Sequence, residues 1–141
     1  MSWLKNLMLG SDSRKKKGND GPTPVAEGDF KKTDSGLQYC DLKTGDGASP
    51  AKGKKVTVHY TGWLTNGKRF DSSVTKQEPF TFEVGKRRVI KGWDEGVRSM
   101  KTGGIRQLKV PPNLGYGAVG SPPVIPANAI LIFEIELLSI A

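Results

Sequence analysis

Two stretches constrain the fold more than anything else in this chain, because both keep a two-residue period. Lys55 to Leu64 sets Val56, Val58 and Tyr60 on one face and Thr57, His59 and Thr61 on the other. Ile130 to Ser139 sets Leu131, Phe133, Ile135 and Leu137 against a face that carries Glu134 and Glu136. Successive strand side chains point to opposite sides of a sheet, so this alternation predicts strands with one apolar face. Leu37–Leu42, Phe80–Val84 and Ile105–Val110 repeat the theme at shorter length. Asn66-Gly67 is a hairpin signal leading into Arg69-Phe70-Asp71-Ser72-Ser73. With 18 Gly and 9 Pro in 141 residues, the chain is built for tight turns and short elements.

The period changes after Gly85. Val89-Ile90-Lys91-Gly92-Trp93 opens a helix of about two turns, Trp93 to Ser99. Asp94 and Glu95 stand against its N-terminal dipole, and Gly103-Gly104 ends it. One short helix against an antiparallel sheet of about five strands is an α+β arrangement. Within that pattern Tyr60, Phe70 and Phe133 read as core, and Asp71 as a turn or surface charge. Trp93 is either plain core or the floor of a pocket.

Chemistry-bearing residues are few. Cys40 and His59 are the only cysteine and the only histidine, so there is no internal disulfide. A structural zinc site wants about four such ligands, and neither a metal nor a cofactor is expected. A nucleophile–base pair would need Cys40 and His59 to meet in space. On a strand, opposite the apolar face, His59 reads instead as a hydrogen-bonding structural residue. Gly115-Tyr116-Gly117-Ala118-Val119-Gly120 fits the dinucleotide pattern, but Ser121 to Pro126 cannot continue as the helix that pattern requires. The segment reads better as a long loop walling a binding site with Tyr116, Val124 and Ile125.

Residues 1–33 differ from the rest. Ser2 could cap a short helix carrying Trp3, Leu4, Leu7 and Met8. That stripe is too short to span a membrane and too interrupted for a signal peptide. Arg14-Lys15-Lys16-Lys17 and a Gly/Pro-rich linker follow. We expect a basic, flexible tail over 1–33, able to touch an anionic surface, and a folded domain over 34–141. The net charge of +8 selects no partner by itself. No basic stripe studded with aromatic rings is visible, so no nucleic acid is expected. A cytoplasmic monomer is the natural expectation.

The order of the blocks carries a resemblance. His59-Tyr60-Thr61-Gly62, Gly67 to Ser73, Pro79-Phe80-Thr81-Phe82, Val89 to Trp93, Tyr116-Gly117, and Ile125-Pro126 through Phe133 to Leu138 together resemble the FKBP-type peptidyl-prolyl cis–trans isomerases. The likeness runs from about Ser35 to Ala141. It implies a twisted antiparallel sheet wrapped around one short helix, and an enzyme that turns X–Pro bonds in peptides and unfolded proteins. No nucleophile or cofactor is needed, and macrolides such as FK506 and rapamycin would inhibit.

The resemblance also implies roles for residues. Trp93 would floor an apolar pocket for the prolyl ring, walled by Tyr60, Phe70, Phe80, Val89, Ile90 and Phe133. Tyr116 would offer its hydroxyl to the substrate, and the Ile90 N–H would meet a substrate carbonyl. Asp71 would lie at the rim, partnered by Tyr60 or Lys76, while Val124 and Ile125 close the loop side. Tyr60, Asp71, Trp93, Tyr116 and Phe133 are thereby the catalytic set. Ser121, Val124 and Lys76 depart from the best-known members, which bears on substrate and inhibitor preference. The alternative is a binding module that holds proline-containing partners or macrolides without turnover.

Overall fold

The computed structural model describes residues 21–141, so Trp3 to Met8 and the Arg14–Lys17 run lie outside the described residues. Seven strands form one antiparallel sheet: β1 (Lys31–Lys32), β2 (Gln38–Lys43), β3 (Lys55–Leu64), β4 (Arg69–Ser72), β5 (Phe80–Glu83), β6 (Ile105–Val110) and β7 (Leu131–Ile140). Their order is β1-β2-β6-β7-β3-β4, with β5 also on β3. β4 pairs with Thr61–Trp63 and β5 with Lys55–Val58, so the two share one edge of β3. The sheet is thus five positions wide, as expected, plus the two-residue β1.

Between β4 and β5 the chain leaves that edge as a one-turn helix, α1 (Ser73–Lys76). Sequence pattern misses it: four residues are too few to show a period, and Val74 and Thr75 favour strands. Ser72 makes the turn possible, its hydroxyl accepting the N–H groups of Val74 and Thr75. The Asn66-Gly67 hairpin forms, with Gly67 N donating to Leu64 O at 2.9 Å and Gly67 at φ +89°.

The long helix, α2, spans Lys91–Arg98 and starts two residues earlier than its pattern suggests. The Ile90 carbonyl accepts from Trp93 N at 3.0 Å and Asp94 N at 3.2 Å, which sets the first turn there. Asp94 is in that turn, but its carboxylate is held by the loop before it, through Gly85 N at 2.8 Å and Arg87 N at 3.0 Å. Gly92 and Gly96, one turn apart, face β6. A Cβ on Gly92 would stand 2.8 Å from Val110 Cγ1, and one on Gly96 2.7 Å from Leu108 Cδ2. At the far end, buried Arg106 donates to Gly96 O at 2.9 Å and to Asp41 at 2.7 Å. Helix and sheet enclose a core in which Val56, Val58, Val84, Val97, Leu108 and Ile135 are fully buried.

The polar face of β7 is not open to solvent as simple alternation suggests: Glu134 and Glu136 are both buried. Over Glu134 lies the chain before β1. Thr23 N donates to its Oε2, and Gln107 Nε2 bridges that oxygen and Thr23 O at 3.0 and 2.8 Å. Contacts with the sheet therefore begin upstream of residue 34, where the sequence suggests the domain starts. Cys40 on β2 and His59 on β3 are kept apart by β6 and β7, and His59 Nδ1 lies 2.9 Å from Ser73 Oγ. No helix among the described residues is long and apolar enough to cross a membrane.

Two substitutions test this frame. Gly92→Ala should destabilise by about 1–3 kcal/mol through overpacking against Val110, although Ala is the better helix former; urea unfolding measures it. A chain starting at residue 34 should melt below one starting at residue 21, by about 1–2 kcal/mol in stability, since it loses β1 and the Thr23 contacts.

Candidate active site

Trp93 is set by α2 against the middle of the sheet, only 5% exposed. Four rings surround it. Tyr60 meets it edge-on at 4.8 Å, Phe133 at 5.3 Å and Phe80 at 6.1 Å, while Phe82 lies tilted at 5.7 Å. Edge-to-face pairs at such spacings are favourable by about 0.5–1.5 kcal/mol beyond buried area. Phe70 extends the wall, meeting Phe133 edge-on at 5.6 Å. Gly62 lies across from both Asp71 on β4 and Phe133 on β7. A Cβ there would sit 2.7 Å from the rings of Phe70 and Phe133, so only glycine lets the wall close. Sequence reasoning missed this role, because nothing local in His59-Tyr60-Thr61-Gly62 says which rings cross the strand.

The surrounding side chains differ in burial. Phe82 and Phe133 are buried, Tyr60, Phe70, Val89 and Ile90 half-buried, and Phe80 is 39% exposed. Two polar donors in this cluster lack partners among the described residues. Trp93 Nε1 is buried without a hydrogen bond. The Ile90 N–H is also free, although its carbonyl starts the helix. A buried unpaired donor such as Trp93 Nε1 costs about 1–3 kcal/mol.

The rim is a hydrogen-bonded acid. Tyr60 OH donates to Asp71 Oδ2 at 2.6 Å, Lys76 Nζ lies 2.9 Å from Oδ1, and Ser72 N donates to Oδ1 at 2.8 Å. Both partners expected for Asp71 are present. Burial alone would raise the Asp71 pKa, but these bonds and the Lys76 charge outweigh it and hold the carboxyl below its usual range. Burial raises the Tyr60 phenol, and its bond to Asp71 adds to the effect. Tyr116 is raised by burial and then by the Asp71 charge. The aromatic cluster is therefore bordered by the Asp71 anion and the neutral Tyr60 phenol.

The loop from Pro111 to Ile130 carries Tyr116 and is held by its own backbone. Gly117 N and Asn128 N bond to Pro112 O and Gly117 O, and Ser121 bridges Ile125. The bridge turns neighbours to opposite sides: Ile125 is buried in the core cluster, and Val124 is 44% exposed. Gly115 to Gly120 precedes no helix.

Asp71→Asn tests the rim. The folded pKa is depressed, so the carboxylate's contribution is present above the unfolded value of about 3.9 and is lost as pH falls through the folded value. The variant should be less stable at neutral pH by about 1 kcal/mol or less, given the exposure of this ion pair. The gap should close on acidification below about pH 4, as followed by thermal melts.

Comparison with known proteins agrees with this geometry. The family model described as FKBP-type peptidyl-prolyl cis-trans isomerase matches residues 47–138. The chain is 54% identical over 105 residues to the FK506-binding protein of Neisseria meningitidis serogroup B, covering 74% of this chain and 96% of that protein. It is 61% identical over 107 residues to FK506-binding protein 4 of Dictyostelium discoideum, covering 76% of this chain but only 29% of that longer protein. Among solved structures, AtFKBP13 superposes with a TM-score of 0.75 at 41% identity, covering 79% of this chain and 98% of that one. FkpA from Escherichia coli superposes with a TM-score of 0.75 at 38% identity, over 96% and 59% of the two chains. The chain belongs to the FKBP-type peptidyl-prolyl cis-trans isomerase family.

Proposed function

We propose that the protein isomerises X–Pro bonds by seating the prolyl ring on Trp93, inside the wall of Tyr60, Phe70, Phe80 and Phe133. The observation that carries this reading is the ring of aromatic edges around a buried tryptophan, bordered by the Tyr60–Asp71 hydrogen bond. A planar amide owes its rotation barrier of about 18–20 kcal/mol to resonance. Resonance also makes the planar form more polar than the twisted one. Moving the amide from water to this apolar wall therefore penalises the planar state more.

The free Ile90 N–H holds a substrate carbonyl, and Tyr116 donates its hydroxyl from the loop. Val89 and Ile90 form an edge of the pocket, Ile125 anchors the loop beneath it, and Val124 meets substrate or macrolide from the solvent side. Each ~1.4 kcal/mol of preferential stabilisation yields about tenfold in rate, so a few such contacts suffice without a nucleophile. Proline-containing peptides and unfolded chains are the substrates we infer, with FK506- or rapamycin-like macrolides as inhibitors. We read the protein as a cytoplasmic monomer of one folded domain with a basic N-terminal segment, consistent with a lone, half-buried cysteine.

An X–Pro peptide assay with and without rapamycin tests the activity; no acceleration by micromolar protein would sink it. Turnover should be flat between about pH 6 and pH 9, because the rim carboxylate is depressed and both phenols are raised. Trp93→Ala should cost about 3–5 kcal/mol of stability together with activity. Tyr116→Phe should lower turnover about threefold to tenfold with little change in melting. Equal melting losses in the two variants would place Tyr116 in the core instead.

A further inference from the structure

Two open grooves flank Phe80, whose ring also forms the pocket wall against Tyr60 and Trp93. One, of about 290 Å³, holds Lys76 and Glu78 beside Tyr60. Its single lysine stands beside Glu78 and is paired with Asp71, so this groove carries no excess positive charge. The other, of about 390 Å³, runs past Phe80 and Phe82 to Lys55, Glu83 and Arg88.

The second groove ends in a basic cluster built by the fold. The loop before β3 packs on the end of β5: Gly53 N donates to Val84 O at 2.7 Å and Val84 N to Lys54 O at 3.0 Å. The Lys86 side chain lies 3.3 Å from where a Gly53 Cβ would stand. This gathers exposed Lys52, Lys54, Lys55, Lys86 and Arg88 around the ends of β3 and β5, while Arg87 lines a separate cleft with Asp94 and Arg98. Two acids oppose them. Asp94 spends both oxygens on the backbone N–H groups of Gly85 and Arg87. Glu83 pairs with Arg88 at 3.4 Å, with both side chains well exposed, an interaction a second carboxylate can displace.

We propose that this groove is a specificity subsite that favours substrates carrying Asp or Glu close to the isomerised proline. The proposal rests on the isomerase reading of the Trp93 pocket. Arg88 is two residues from Ile90, whose N–H would hold the substrate backbone, and an extended residue spans about 3.3–3.6 Å. The acidic side chain therefore belongs within about three residues of the proline. A peptide suits the cluster better than nucleic acid does, because the nearest rings, Phe80 and Phe82, are stacked on each other at 5.6 Å and packed on Trp93. The selection acts on bound substrate and transition state alike, so it appears in KM.

The test uses X–Pro peptides that differ only in Glu or Gln, placed up to three residues away on either side, with both turnover and Kd measured. At low salt the best-placed Glu should raise kcat/KM about threefold to fivefold over Gln, as expected for exposed charges. The advantage should vanish near 0.5 M salt, where the screening length falls to a few Å. Lys55→Glu with Arg88→Glu should reverse the Glu-to-Gln ratio, Arg88→Lys should keep it, and Glu83→Gln should widen it. Equal values for Glu and Gln at every position overturn the subsite, as does an unchanged ratio in the charge-reversed variant. Failure to accelerate any peptide, Gln included, would instead overturn the isomerase reading, and the Kd ratios would still decide the subsite. Tighter binding of a short single-stranded DNA or of anionic vesicles than of any Glu peptide, lost in the charge-reversed variant, would assign the cluster to that partner.

Discussion

The close approach of α2 to β6 is the contact on which the rest of the structure depends. Gly92 and Gly96 leave room for Val110 and Leu108, and no larger residue could stand at either place without displacing a buried side chain. Because the helix lies so near the sheet, Trp93 is driven in among Tyr60, Phe82 and Phe133 rather than above them. Arg106 holds the far end of the helix through the Gly96 carbonyl and Asp41, so its tilt is restrained at both ends. The position of Trp93 follows from backbone spacing before any side-chain preference enters.

Around that floor the polar groups are arranged to stay fixed in charge. Asp71 is kept ionised by Tyr60, Lys76 and the Ser72 N–H, and its charge in turn helps keep both phenols protonated. Such a rim neither gives nor takes protons near neutral pH. That suits chemistry in which a bond rotates and none is made or broken. Among the described residues, Trp93 Nε1 and the Ile90 N–H keep no hydrogen-bond partner beside that rim.

Much of the fold was legible because strand alternation is local. β3 and β7 show a two-residue period over most of their length, and the Asn66-Gly67 turn is chemically explicit. The segments that escaped are those whose structure depends on a partner far along the chain. α1 exists because Ser72 caps it and because β4 and β5 must share one edge of β3. The Thr23 contact needs Glu134, 111 residues away, to be buried in the face opposite the core.

What the sequence determined by itself was the main strands from β2 onward, the longer helix and, through the order of its motifs, the family. Those depend on side-chain period, turn chemistry and residue identity, all of which act between near neighbours. Only the tertiary structure decided that Gly62 makes space for Phe70 and Phe133, and that Tyr60 and Lys76 both hold Asp71 where the sequence offered either. It alone set Ile125 inward and Val124 outward. It also divided the surface beside Phe80 into one balanced groove and one basic groove. The physical reason is the same in each case: these are distances between residues on different strands and loops, and sheet register and helix–sheet spacing set them.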